Sequence, residues 1–163
     1  MSLEDFPSEH LRERLRRIQL LLMDVDGVLT DGRIVYHDDG TETKVFHVRD
    51  GLGIRMLLNA GLQAGIVTGR ASEALVHRCR NLGIDLLFDA VADKDAVLPR
   101  ILEAAGCSAR QTAFVGDDLP DLPLMRRVEV AFAVADAHPF VVEAADRVTA
   151  APAMATYLKK SRL

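Results

Sequence analysis

Apolar residues along this chain fall into two patterns that alternate from end to end. Short solid runs, at Gln19–Val25, Leu62–Val67, Asp85–Phe88, Thr112–Val115, Val130–Val134 and Arg147–Thr149, have the length of buried strands. Between them lie stretches with helical spacing. Ser8–Ile18 is amphipathic and Arg-rich with Ser8 as N-cap, and Leu52, Ile54, Met56, Leu57 and Leu58 suit a helix closing at Gly61. Further helices are predicted at Ser72–Leu82, Asp93–Ala105, near Leu119–Arg127 and at Pro139–Ala144. Strands alternating with helices predict a parallel sheet covered on both faces. Arg33–His37 and Thr43–Val48 are β-prone and flank Asp38-Asp39-Gly40, which predicts a hairpin after the first strand. The expected class is α/β: a doubly wound, mainly parallel, Rossmann-like sheet. Residues 1–163 are expected to form one domain, with 33–48 as the inserted hairpin.

Composition narrows the class of function. A chain of 163 residues can bury a core without disulfides or a structural metal. Its 49% apolar and 27% charged residues are those of a globular protein, and a net charge of -4 offers no basic surface for nucleic acid. No apolar run approaches a membrane span, and the N-terminal region lacks the apolar core of a signal peptide, so no membrane partner is expected. Cys79 and Cys107 have no metal-binding spacing and are read as idle or buried thiols in a reduced, cytoplasmic compartment. Lysine is scarce: it stands only at positions 44, 94, 159 and 160.

Polar chemistry collects just past the end of each strand. Strand one ends in Asp24 and Asp26, strand two in Thr68-Gly69-Arg70, and strand four in Gly116-Asp117-Asp118-Leu119-Pro120-Asp121. Asp93-Lys94 opens the helix after strand three. In a parallel sheet these positions share one edge, the crevice where such folds bind ligands. Each has a structural alternative: Thr68 as a helix N-cap, Lys94 as a solvated helix residue, Asp117 or Asp118 as a cap. Together they crowd carboxylates that need a counter-charge. Two like charges about 4 Å apart cost about 4 kcal/mol at an effective dielectric near 20. A hard divalent cation with oxygen ligands, Mg²⁺ foremost, relieves that cost.

This order of elements and motifs resembles the haloacid dehalogenase superfamily of phosphotransferases, over nearly the whole chain. More narrowly, Asp24-Val25-Asp26-Gly27-Val28-Leu29-Thr30-Asp31-Gly32 resembles the 3-deoxy-D-manno-octulosonate 8-phosphate (Kdo 8-phosphate) phosphatase family. So do Val45-Phe46-His47-Val48-Arg49-Asp50-Gly51-Leu52-Gly53, Thr68-Gly69-Arg70, residues 116–123 and Ala135-Asp136-Ala137-His138-Pro139. The resemblance implies that Asp24 is the nucleophile, taking the phosphoryl group as an aspartyl-phosphate. It implies that Asp26 protonates the leaving alkoxide and then activates water. Mg²⁺ would lie between the Asp24 carboxylate, the Asp26 carbonyl and Asp117, with Asp118 and Asp121 behind it. Thr68 would bond a phosphoryl oxygen and Lys94 would neutralise charge. Thr30, Asp31, Gly69, Arg70 and Arg78 are the candidates for substrate contact, with Arg49 and Asp50 on a further rim. Because the hairpin is too short to be a cap domain, the resemblance also implies a homotetramer whose hairpins pack together and close each site.

Two departures from the family pattern bear on the substrate. Asp89-Ala90 stands where the family has Gln-Gly, and residues 148–160 lack the family's Gly-rich C-terminal segment. The phosphoryl-transfer residues are untouched, so hydrolysis is expected to survive. The substrate implied is an acidic sugar phosphate, Kdo 8-phosphate first and a nonulosonate 9-phosphate second. Other readings are a regulatory module that keeps the fold without turnover, a signalling receiver domain and a phosphomutase. The last needs a cap that this chain has no room for, and in a receiver the tight acidic pair comes first rather than last.

Overall fold

The computed structural model describes residues 8–150. The chain runs α1 (Glu9–Leu15), β1 (Leu20–Met23), β2 (Val35–Tyr36), β3 (Glu42–Thr43), α2 (Val48–Asn59), β4 (Gln63–Val67), α3 (Glu73–Leu82), β5 (Leu86–Phe88), α4 (Lys94–Ala105), β6 (Thr112–Gly116), α5 (Leu122–Met125), β7 (Val130–Ala133), α6 (Pro139–Ala144) and β8 (Arg147–Val148). Six strands form one parallel sheet in the order β5-β4-β1-β6-β7-β8, and β2 and β3 pair antiparallel by themselves. The α/β, doubly wound sheet expected from the alternation is the one observed. The stretch 148–160, where the family's Gly-rich segment is missing, lies mostly outside the described residues.

The central strands are solid apolar runs because both of their faces are covered. Every residue of β1 and β6 is buried. Successive side chains of β1 point to opposite faces, and each face has its own core. Leu21 and Met23 pack with Ile54 of α2 and Leu75, Cys79 and Leu82 of α3. Leu20 and Leu22 pack with Val97, Leu98 and Ile101 of α4, Leu124 and Met125 of α5, and Val141 of α6. Cys79 lies in the first core, and burial pushes its thiol up to about 11, so it behaves as a small apolar group. Cys107 is free as well.

The differences from expectation are local. The hairpin is shorter than the run 33–48 suggests, with two-residue strands and mostly exposed side chains. Its return limb leaves the ladder after Thr43, and α2 begins at Val48, earlier than the apolar spacing indicates. The reason is His47, whose Nδ1 accepts the backbone N–H of Arg49 and so caps the helix there. The helix expected over 119–127 is a 3-10 turn, Leu119–Asp121, followed by the single turn of α5. Pro120 and Pro123 supply no backbone N–H, which suits them to the starts of short helical turns and not to one continuous helix.

Candidate active site

The parallel register brings the ends of β1, β4 and β6 to one edge, as the sequence requires. Asp24 leaves β1 with its N–H still bonded to the Val115 carbonyl at 3.0 Å. The chain then turns sharply: Val28, Leu29 and Thr30 all donate their N–H groups to the Val25 carbonyl, at 3.2, 2.9 and 3.0 Å. Gly27 makes the turn possible with φ +92. It also makes room, because a Cβ there would lie 1.9 Å from Asp117 Oδ2. Gly116 does the same for Asp121, whose Oδ2 would be 2.5 Å from an added Cβ.

Lys94 is the hub. It is the first residue of α4, which Asp93 caps by accepting the N–H groups of Asp95 and Ala96. Its Nζ lies 2.8 Å from Asp24 Oδ1 and donates to Asp121 Oδ1 at 2.6 Å. The three side chains are nearly inaccessible, at 7%, 10% and 1% exposure for Lys94, Asp24 and Asp121. Burial alone would lower the Lys94 pKa, but the two carboxylates outweigh it and hold the ammonium above its ordinary value. Asp121 is engaged on both oxygens: besides the Lys94 bond to Oδ1, its Oδ2 accepts the backbone N–H groups of Asp117 at 2.9 Å and Asp118 at 3.2 Å. It therefore braces the loop that presents Asp117.

Carboxylate oxygens of Asp24, Asp117 and Asp121 lie within 4.8 Å of one another. Asp117 Oδ1 is buried and has no hydrogen-bond partner. Burial raises the Asp24 carboxyl to about 6, with Lys94 opposing the shift, and raises Asp117 to about 8, with the charges of Asp24, Asp121 and Asp118 adding to it. Such carboxyls resist ionising without a cation, and an all-oxygen donor set fits a hard divalent ion. Mg²⁺ therefore fits this cluster, with Asp24 and Asp117 offering side-chain oxygens.

The remaining predicted residues divide. Thr68 is buried at the end of β4, its hydroxyl accepting the Arg70 N–H at 3.5 Å, and Gly69 beside it is exposed. Asp118 is exposed and caps the 3-10 turn through the Leu119 N–H, so the structure gives it a capping role. Thr30 is buried and bonds within its own loop, to the Val25 carbonyl, Asp26 Oδ1 and the Gly32 N–H. Asp31 is exposed and accepts from the Arg33 N–H. Arg78 lies under the hairpin's return, 5.7 Å from the Phe46 ring and donating to the His47 carbonyl at 3.3 Å. There it braces the start of α2. Asp50, on the same helix, is buried at 3% exposure.

Sequence reasoning missed the hairpin's own contribution. Lys44 Nζ lies 2.5 Å from Asp26 Oδ1 and 3.1 Å from Glu42 Oε1, and Arg70 bonds Glu42 and the Tyr36 hydroxyl. The signal available was the scarcity of lysine, which singles out Lys44 as it does Lys94. Nothing local says which carboxylate it meets.

A parallel sheet presenting an aspartate pair, a threonine, a buried lysine and a second acidic loop on one edge is the architecture of the haloacid dehalogenase-like hydrolases, and the model of that family matches residues 86–154. The chain is 44% identical over 138 residues to the 3-deoxy-D-manno-octulosonate 8-phosphate phosphatase of Haemophilus influenzae, covering 85% of this chain and 77% of that protein. The cobalt-bound structure of the H. influenzae phosphatase superposes with a TM-score of 0.84 at 42% identity, over 86% of this chain and 82% of that one. The Moraxella catarrhalis phosphatase, solved with magnesium, phosphate and KDO, gives 0.86 at 34% identity, over 89% of this chain and 83% of that one. The chain belongs to the 3-deoxy-D-manno-octulosonate 8-phosphate phosphatase family.

Proposed function

We propose that this protein is a Mg²⁺-dependent phosphatase of Kdo 8-phosphate, working through an aspartyl-phosphate on Asp24. The observation that carries the reading is the Lys94 hub: one buried ammonium bridging Asp24 and Asp121 beside the unpartnered Asp117 Oδ1. A carboxylate approaching a phosphate dianion is repelled unless cations screen it, and positioning with charge stabilisation supplies most of phosphoryl-transfer catalysis. Mg²⁺ held by Asp24, the Asp26 carbonyl and Asp117 would supply that screening on the phosphoryl oxygens. Lys94 neutralises Asp24 from the protein side and keeps it aimed. Asp26 gives a proton to the departing sugar oxygen and takes one from the water that opens the aspartyl-phosphate. Thr68 donates to a phosphoryl oxygen. Gly69 and Arg70 form the rim that meets the acidic sugar, with Thr30, Asp31 and Arg78 shaping the loop and hairpin around it.

The same reading extends to assembly and place. Ile34, Val35, Tyr36, Val45, Val48, Leu52 and Met56 are large apolar side chains left exposed on the hairpin and α2. A patch of this kind supports hairpin-to-hairpin packing in a homotetramer that shields each site. Among the described residues no helix is long and apolar enough to cross a membrane, which is compatible with a cytoplasmic enzyme acting on a small substrate.

The test is phosphate release from Kdo 8-phosphate, nonulosonate 9-phosphates and neutral hexose phosphates, each with and without Mg²⁺. Release only with Mg²⁺, and fastest from Kdo 8-phosphate, is expected; a faster nonulosonate ester would move the substrate assignment and keep the mechanism. Asp24→Asn should fold normally and lose at least about a thousandfold in turnover, as expected for removal of a covalent nucleophile. A near-normal rate in that variant would remove Asp24 from the mechanism. Sedimentation showing only monomer at micromolar concentration would remove the tetramer.

A further inference from the structure

The hairpin reaches the site through one ion cluster, in which the lysine is the buried member. The Lys44 side chain is 2% exposed, and its Nζ meets Asp26 Oδ1 at 2.5 Å and Glu42 Oε1 at 3.1 Å. Arg70, which is partly exposed, closes the cluster from the loop after β4: its Nη2 donates to Glu42 Oε2 at 2.5 Å and to the Tyr36 hydroxyl at 2.9 Å. Arg70 Nε stands 3.8 Å from Asp26 Oδ2, beyond hydrogen-bond reach. The two oxygens of Asp26 are therefore unlike. Oδ1 faces the lysine, with the Thr30 hydroxyl 3.4 Å away. Oδ2 is buried and has no hydrogen-bond partner. An ammonium only donates, so Oδ1 is fixed as an acceptor. Oδ2 lies against the Arg70 guanidinium instead, so each oxygen of Asp26 faces its own cation.

We propose that Lys44 is the positioning residue of the acid–base carboxyl: held by Glu42, it fixes the rotation of Asp26 and so its aim at the reacting oxygen. This rests on the reading of Asp26 as proton donor and acceptor. In the first half-reaction Asp24 forms an O–P bond as the ester P–O bond breaks, and a proton passes from Asp26 to the departing sugar oxygen. The departing oxygen leaves as an uncharged hydroxyl of the sugar. In the second, a water oxygen bonds phosphorus as the Asp24–phosphorus link breaks, and Asp26 takes a proton from that water. Inorganic phosphate leaves and both aspartates return to their starting forms. Glu42 anchors the two cations on either side, so the hairpin's docking and the aim of Asp26 depend on the same contacts.

A leaving-group comparison separates this role from a merely structural one. A primary sugar alkoxide needs a proton to depart, whereas p-nitrophenolate leaves without one. Lys44→Met is expected to lose about 100-fold or more in kcat/KM on Kdo 8-phosphate, and no more than about fivefold on p-nitrophenyl phosphate, given that general acids contribute about 10²–10⁴-fold. Lys44→Arg, which still donates, should recover part of the loss on the sugar ester alone. Equal losses on both esters, or no loss on either, would overturn the proposal. Melting temperature and Mg²⁺ affinity by titration calorimetry check that the fold and metal site persist. If Lys44→Met does not fold, Glu42→Gln, which loosens Lys44, should show the same split in milder form, and its absence would be equally decisive. Wild-type protein that cleaves p-nitrophenyl phosphate and other primary sugar phosphates but not Kdo 8-phosphate would overturn the substrate assignment alone. The Lys44 comparison is then made on the sugar ester it does cleave.

Discussion

Two glycines carry much of the site's geometry. Without side chains at Gly27 and Gly116, Asp117 and Asp121 approach the backbone more closely than any Cβ allows. Gly27→Ala should therefore act twice, through a left-handed backbone position that costs on the order of 1–3 kcal/mol for a residue with a side chain, and through displacement of Asp117. Its expected signature is a fall in Mg²⁺ affinity of at least about tenfold alongside reduced stability to denaturant. Unchanged affinity by calorimetric titration would mean that Asp117 is not held by this contact. At this scale the sequence was informative about identity and silent about partnership. Asp24, Asp26, Thr68, Lys94 and Asp117 could be named from their positions after strands. That Asp121 would brace the loop through two backbone N–H groups, or that Lys44 would reach Asp26, depends on contacts that only folding creates.

Among the elements, strands and long helices follow the apolar pattern closely, because burial on two sheet faces imposes it directly. The exceptions are set by single residues: His47 starts α2, and the prolines break the helix expected after β6. α4 contains a more telling exception. Pro99 sits inside it and is exposed, so it removes an N–H that would bond the Asp95 carbonyl and packs its ring against that turn. An interior proline costs a helix about 3 kcal/mol, offset in part because proline also restricts the unfolded chain. Pro99→Ala is expected to stabilise the protein by about 1–2 kcal/mol, read as a higher midpoint in urea. A lower midpoint would show that the helix is already relaxed around the ring. Since α4 carries Lys94 at its first residue, a marked change in turnover in this variant would reveal that its curvature sets the hub.

For the molecule as a whole, the acidic cluster links stability to pH and to metal. Asp24 and Asp117 bind their protons more tightly in the folded protein than in the unfolded chain, since burial raises them to about 6 and about 8. Their contribution is favourable below the ordinary carboxylate range, where both states are protonated, and is lost as pH rises through those raised values. Metal-free protein should thus melt at progressively lower temperature between about pH 5 and about pH 8, while protein saturated with Mg²⁺ changes little. The stabilisation conferred by Mg²⁺ then widens with pH, and Asp117→Asn should flatten most of the difference. A metal-free melting temperature that rises across this range would contradict the assignment of these two groups.

The sequence alone determined the layered α/β fold and the edge of the sheet where chemistry collects. Both come from periodicity: an apolar run buried on two faces is a central strand, and polar residues just past its end can lie only at the carboxyl edge. It also determined the family, because the motif residues are contiguous in the chain. Tertiary structure decided how the charges are shared: Lys94 between Asp24 and Asp121, Lys44 on one oxygen of Asp26, Arg70 tied to Glu42 and Tyr36. Those pairings join loops separated by many residues. Their energies depend on distance and burial, quantities that have no value until the chain has folded.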